Sequence, residues 1–388
     1  MNYRVNAFGC QNFSSFNTKE HTFDTNCGLK DQVAAMKWVQ ANISSFGGDS
    51  ANVTLLGESA GAASIACHYC IPESEPLFQR AFMLSPSAHM VQERAQADYF
   101  ARQVVKRLGL NLDDKEEVAK ALMSKSWKDV LAASDHVSIK VQPDDRPGSL
   151  AQGPIVEPGF LEASVLDIFA KGLQQKKPLV ICNQSCEGSL FTVALPLPVL
   201  PISKSRAERM FQLTSCDEEQ IAQLRKAYDL ENNGKKGYID IGGDSTFWHS
   251  TTLLAEAHSK AGASVWCHMN EYAPPLLHKL GFGCTHLFGD VWLYLGDMNK
   301  NLGWLFTLGG FWGQKDALKV SKRMQGHLLH FIQGSNPVED ASEWPQYDTQ
   351  KRATLVTSAG KDEVVSDYRK ERREAWSQWR SYAKRTEP

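Results

Sequence analysis

The sequence carries no surplus of positive charge: 42 Lys and Arg stand against 44 Asp and Glu, a formal net charge of −2. Such a chain has no global field to gather phosphates, so nucleic acid is excluded as an expected partner. Long hydrophobic runs are also missing. A membrane helix needs roughly 18 consecutive apolar residues, and the nearest stretch, Phe191 to Ile202, is interrupted by Pro196, Pro198 and Pro201. No membrane span is expected. Cysteine is sparse, nine in 388 residues and an odd count, which excludes a disulfide scaffold and points to mostly reduced thiols. Cys67-His68-Tyr69-Cys70 has CxxC spacing, yet no second CxxC or paired-His segment completes a zinc site. The opening Met1 to Asn6 has neither the basic start nor the apolar stretch of a secretory signal. The chain is therefore expected inside the cell unless its true start lies upstream. Repeats and low-complexity segments are absent as well.

What is present is a globular composition, 42% hydrophobic and 22% charged, enough to bury a large core. Tyr3 to Phe8 reads as a strand. Gly28 to Ile43 carries Leu29, Val33, Met36 and Ile43 at helical spacing, with Trp38 and Val39 widening the stripe. Asn52 to Leu56 reads as a short strand, Gly57 to Gly61 as a tight turn, Ala60 to Cys70 as a closely packed helix and Arg80 to Leu84 as another strand. Two helices are expected between Val91 and Leu131, then a Pro/Gly-rich surface crossing from Val141 to Pro154. A strand from Lys177 to Cys182 precedes a proline-rich loop from Pro196 to Ser205. Helices over Arg206 to Tyr228 and Ser250 to Ala261, a strand over Ser264 to Met269, and a terminal helix using Val365, Tyr368, Arg372, Trp376, Trp379 and Ala383 complete the pattern. This alternation predicts one α/β domain over residues 1–388, a mostly parallel central sheet with helices on both faces and active residues at the loops after strand ends.

Gly57-Glu58-Ser59-Ala60-Gly61 matches GxSxG, following a strand candidate and opening a small-residue helix. That context is the nucleophile elbow, whose sharp turn projects the serine hydroxyl into a cleft. A serine hydroxyl is a weak nucleophile at neutral pH and needs an imidazole to take its proton and a carboxylate to orient that imidazole. Glu187 follows a buried strand candidate and precedes a glycine. His286 lies in the glycine-rich segment Gly281 to Asp290 after the last clear strand. The order Ser59, Glu187, His286 is the Ser, acid, His order of the α/β-hydrolase fold. His68 and His89 lie within or after the elbow's own helix and strand and rank below His286, as does His278.

Asn2-Tyr3-Arg4, Asn26 to Gln32, Trp38-Val39-Gln40, Asn42-Ile43, Phe46 to Asp49 and Asn52 to Gly61 together resemble the type B carboxylesterase and cholinesterase family. The resemblance continues through Gly153 to Gly159, Glu187-Gly188, the His286 segment, Ser335-Asn336-Pro337 and Trp344-Pro345. It implies an α/β-hydrolase fold and hydrolysis of a small-molecule ester through an acyl-enzyme. Ser59 is then the nucleophile, Glu187 the acid, His286 the base and the Ala60 N–H an oxyanion donor, with no metal, nucleotide or other cofactor required.

Three departures accompany it. The family places a glycine-rich loop, which supplies oxyanion donors, upstream of the Asn-Tyr-Arg segment; the resemblance implies that this loop and the first strands are missing, leaving a sheet edge prone to association. His286 precedes Asp290 by four positions where the family spacing is three, so an ungapped comparison would put Leu287 at the catalytic position and a one-residue insertion restores His286. Leu84-Ser85-Pro86-Ser87 has proline where the family has glycine. Glu58 is expected either to tune the site or to bond to backbone. Trp292, Tyr294, Trp304, Phe306, Phe311 and Trp312 suit an apolar substrate or simply the core. The alternative from another class is a non-catalytic cholinesterase-like homologue, or an inactive truncated form, serving protein interaction. Oligomeric state is not legible in this sequence.

Overall fold

The computed structural model describes residues 1–140, 152–193, 202–213, 217–279, 283–285, 287–296, 314–377 and 379. Along the chain come α1 (Asn6–Cys10), α2 (Cys27–Asn42), β1 (Thr54–Glu58), α3 (Ala60–His68), β2 (Arg80–Leu84), α4 (Arg94–Arg107), α5 (Lys115–Ser124), α6 (Trp127–Lys140) and α7 (Val165–Ala170). Then follow β3 (Leu179–Gln184), α8 (Leu190–Val193), α9 (Lys204–Leu213), α10 (Glu218–Ala227), α11 (Leu230–Gly243), α12 (His249–Lys260) and β4 (Val265–Asn270). The last are α13 (Pro275–Lys279), α14 (Gln314–Gly334), β5 (Ala353–Thr357), β6 (Asp362–Ser366) and α15 (Lys370–Trp376). Glu187–Ser189 forms a 3-10 turn, and Asp244–Trp248 and Leu287–Leu295 are π-helical.

The strands make one sheet in the order β1-β2-β3-β4-β5-β6, parallel from β1 to β5 and closed by an antiparallel hairpin of β5 and β6. Parallel strands must be covered on both faces, and alternation along each strand divides the core accordingly. Ala81, Met83, Leu179, Ile181 and Val265 face α2, α3, α7 and α12. Phe82, Leu84, Val180, Cys182 and Trp266 face α14 and the Leu287–Leu295 segment. The α4, α5 and α6 helices build a further cluster with Phe13 and Phe16, and α9, α10, α11 and α15 build another. β2 is buried throughout, whereas β1, at the end of the sheet, is half-buried throughout.

Local chemistry starts several helices. Asp114 caps α5 by accepting from Glu117 N, Ser164 caps α7 through Asp167 N, and Asp217 with Gln220 forms a reciprocal capping box on α10. The segment entering α2 is tied down from a distance. Asn26 exchanges hydrogen bonds with Ile155 in both directions, and Lys30 pairs with Glu157 at 2.8 Å.

The strands expected at 52–56, 80–84, 177–182 and 264–269 appear as β1 to β4. Tyr3 to Phe8 is not a strand. Asn6 adopts φ +57° and its side chain accepts from Ala7 N, and the chain turns into α1; an extended segment needs a ladder partner, and among the described residues this one has none. Trp38 does not widen the buried stripe of α2; it is 53% exposed and leans on Phe46. A third helix, α6, follows the two expected before Leu131, and the helix expected over Arg206 to Tyr228 is divided into α9 and α10. The expected terminal helix is shorter, because Val365 belongs to β6. Residues 141–151, 194–201 and 380–388, with most of the crossing, most of the proline-rich loop and Ala383, lie outside the described residues.

The Phe82 ring sits 5.2 Å from that of Tyr294 and 5.8 Å from that of Phe331. Phe82→Ala is expected to lower unfolding free energy by about 3–5 kcal/mol, and Trp38→Ala by no more than about 0.5 kcal/mol. Denaturant titration of both variants checks the contrast.

Candidate active site

The site is assembled at the carboxyl ends of the parallel strands. Past the end of each strand a backbone amide donates to the next strand: Ser59 N to Leu84 O at 2.8 Å, Ser85 N to Cys182 O at 2.8 Å, Ser185 N to Asn270 O at 3.0 Å and Glu271 N to Thr357 O at 2.9 Å. These bonds bring the residues after β1, β2 and β3 to one edge of the sheet.

Ser59 stands between β1 and α3 with φ +53° and ψ −115°. A non-glycine residue held there is strained, the signature of a sharp strand-to-helix turn. The turn is possible because Gly57 has no side chain: a Cβ there would lie 2.6 Å from Gly61 C and 2.7 Å from its carbonyl oxygen. Ser59 N is consumed by Leu84. Ala60, exposed at the first position of α3, carries one of the N–H groups that a helix start leaves without an intrahelical acceptor.

Glu187 opens the 3-10 turn after β3 and is 3% exposed. Its Oε1 accepts from Ser85 Oγ at 2.6 Å and from Gln184 N at 3.0 Å. Gly188 lets the turn press on α11, since a Cβ there would meet Ile239 O at 2.0 Å. β1 and β3 are second neighbours, so the backbones that carry Ser59 and Glu187 are separated by about two strand spacings, roughly 10 Å.

His286 lies outside the described residues. Its neighbours Cys284 and Thr285 are buried, and they are tied to the acid side: Cys186 N donates to Cys284 O at 2.8 Å, and Cys284 Sγ contacts Gln184 Oε1 at 2.9 Å. The other named histidines have different surroundings. His68 is locked between Gln32 and Ser74, and burial pushes it down to about 4. His89 is likewise pushed down to about 4 by burial, and His278 is exposed on α13.

The sequence reading overlooked a second carboxyl group. Asp290, fully buried, contacts Ser85 Oγ through Oδ2 at 2.5 Å and accepts from Gln184 Nε2 through Oδ1 at 2.5 Å. One hydroxyl proton cannot serve two carboxylates. Burial, and then the charge of Glu187, push the Asp290 carboxyl well above its ordinary range, with Glu58 adding in the same direction. A protonated Asp290 therefore donates to Ser85 Oγ, and Ser85 donates to Glu187. The signal lay in the sequence as Ser85 and Asp290 following strand and loop ends, but nothing in their spacing marked them as partners.

The CxxC pair carries no redox signature: burial raises Cys67 to about 12 and Cys70 well above its ordinary value. Tyr294 is a core residue bonded to His268 Nδ1, Trp292 packs against the same core, and Trp304, Phe306, Phe311 and Trp312 lie outside the described residues. Among the described residues no cluster of three or more His, Cys, Asp or Glu is arranged to hold a metal ion, and no helix is long and apolar enough to cross a membrane.

Residues 1–376 match the model of the carboxylesterase family. The chain belongs to that family. It is 29% identical over 362 residues to the para-nitrobenzyl esterase of Bacillus subtilis (strain 168), spanning 92% of this chain and 68% of that protein. With carboxylesterase 5A of Homo sapiens it shares 26% identity over 373 residues, 89% of this chain and 59% of the relative. A solved PNB esterase superposes with a TM-score of 0.77 at 27% identity, covering 96% of this chain and 73% of that one. The chain thus spans between about half and two thirds of several curated relatives. Its fold is the α/β-hydrolase fold.

The protonation of Asp290 has a measurable consequence. The folded chain keeps this proton at pH values where an unfolded Asp, near 3.8, has lost it. Folded molecules then bind more protons than unfolded ones, so this group's contribution is intact below the unfolded value and is lost as pH rises toward the folded one. Asp290→Asn offers the same donor and acceptor without a titration. Its melting temperature relative to the parent is expected to rise as pH climbs above the unfolded value; a pH-independent difference in calorimetry would contradict the assignment.

Proposed function

We propose that this chain is a serine carboxylic ester hydrolase of one domain, working through an acyl-enzyme on Ser59, Glu187 and His286. The observation that carries the reading is the strained Ser59 elbow standing at the same sheet edge as the buried carboxyl of Glu187. His286 removes the Ser59 proton as the hydroxyl attacks the ester carbonyl, and Glu187 fixes the imidazole tautomer and stabilises the cation that forms. The first N–H of α3, that of Ala60, faces the developing oxyanion; such a donor is worth about 10²–10³ in rate. The returning proton releases the alcohol, and water then frees the acid by the same base. The substrate is a small-molecule ester.

A short-chain p-nitrophenyl ester tests this. The chain is expected to turn it over, with Ser59→Ala slower by about a thousandfold or more and Glu187→Gln by about a hundredfold or more. A fluorophosphonate probe should add to the peptide containing Ser59. Equal turnover by the parent and Ser59→Ala overturns the assignment, and absence of turnover and labelling in all three favours the non-catalytic, protein-binding homologue.

A further inference from the structure

The acid loop is held by a residue far along the chain. Arg369, immediately before α15, adopts φ +58°, and its Nη2 donates to the carbonyl of Ser185 at 2.8 Å, two residues before Glu187. Its Nη1 donates to Asp244 Oδ1 at 2.9 Å. The guanidinium also lies over Trp248 at 5.8 Å and Tyr368 at 5.3 Å from the ring centroids. Arg369 and Asp244 side chains are 13% and 6% exposed, so the cation is neutralised where it sits. Asp244 is fixed in turn by Tyr228 OH at 2.6 Å and Arg372 Nη1 at 3.0 Å, and Arg372 Nη2 reaches Asp240 at 3.0 Å.

We propose that Arg369 is a positioning residue for the reaction, a latch from the α15 end of the chain that sets the Ser185–Glu187 loop and, through it, the loop leading to His286. The Ser185 carbonyl lies beyond the end of β3, where ladder pairing stops, and a charge-assisted bond from Arg369 supplies its partner. The amide of the next residue, Cys186, donates to Cys284 O, so the same short segment links the acid side to the residues preceding His286. Gly188, packed on Ile239 O and Gly243 N of α11, closes the loop from the opposite side. Glu187 is thus held between α11 and Arg369, and a loss at either contact shifts a carboxyl whose use depends on geometry.

This proposal rests on Glu187 being the catalytic acid, and the test separates the two. Steady-state kinetics on the p-nitrophenyl ester and peptide-resolved alkylation of Cys186, which is half-exposed, are measured for the full chain and for Arg369→Gln, Arg369→Lys and Arg372→Gln. Arg369→Gln is expected to lower kcat by about a hundredfold with KM within about twofold. It should also speed Cys186 alkylation by about tenfold, as loss of one charge-assisted hydrogen bond implies. Arg369→Lys should fall between it and the parent. Arg372→Gln loses ion pairs to the same Asp244 and Asp240 but no bond to the loop, and should keep kcat within about threefold and Cys186 protected. Parent-like kcat and Cys186 reactivity in Arg369→Gln, or equal losses in Arg372→Gln, overturn the proposal. If the parent hydrolyses no ester, the reading of Glu187 fails by itself, and the difference in Cys186 protection between the two glutamine variants still decides whether the latch exists.

Discussion

Four backbone amides, those of Ser59, Ser85, Ser185 and Glu271, continue the sheet's hydrogen bonding one residue past the strands, and the arrangement of the site depends on that continuation. Parallel pairing puts all carboxyl ends on one edge, and right after each end the chain is free to turn. The bond from Ser59 N holds the elbow against β2 while the residue itself occupies a backbone region few side chains tolerate. Strain at this one position is sustained because a central, fully buried β2 lies beside it.

The polar interior grows from the same edge. Ser85, also at positive φ, follows β2 and sits between the carboxyl groups of Glu187 and Asp290. A single hydroxyl flanked by two acids imposes an order of protons, with Asp290 as the neutral donor and Glu187 as the final acceptor. Gln184 serves both sides, its amide N–H toward Glu187 and its side chain toward Asp290. Proline after Ser85 suits this role because the chain leaves the strand there and needs no further amide from position 86.

Much of this frame was legible before any coordinates. The blocks that carry the family resemblance turn out to be contact partners: Arg4 pairs with Asp31 through both carboxylate oxygens, and Asn26 and Lys30 grip Ile155 and Glu157. Short buried strands bounded by glycine and asparagine were readable because burial on both faces demands an unbroken apolar run. Tyr3 to Phe8 misled because its alternation has no neighbouring strand among the described residues to satisfy it. The β5 and β6 hairpin escaped notice since Asp362 to Ser366 is largely exposed and polar. Asp290 escaped because a buried carboxyl in contact with distant Ser85 leaves no local pattern. Arg369 looked like one charge among many in a polar tail.

The π-helical segment Leu287–Leu295 has a bearing on how such sites vary among relatives. A ring closed from residue i to i+5 encloses one residue more than an α-helical ring, so added length bulges sideways and the contacts on either flank keep their places. Asp290 still meets Ser85 and Gln184 inside this segment, and Gly289 still fits against Gln184, where any side chain would collide at 1.8 Å. A wide turn of this kind carries added length while the carboxyl of Asp290 stays in register with the strand ends.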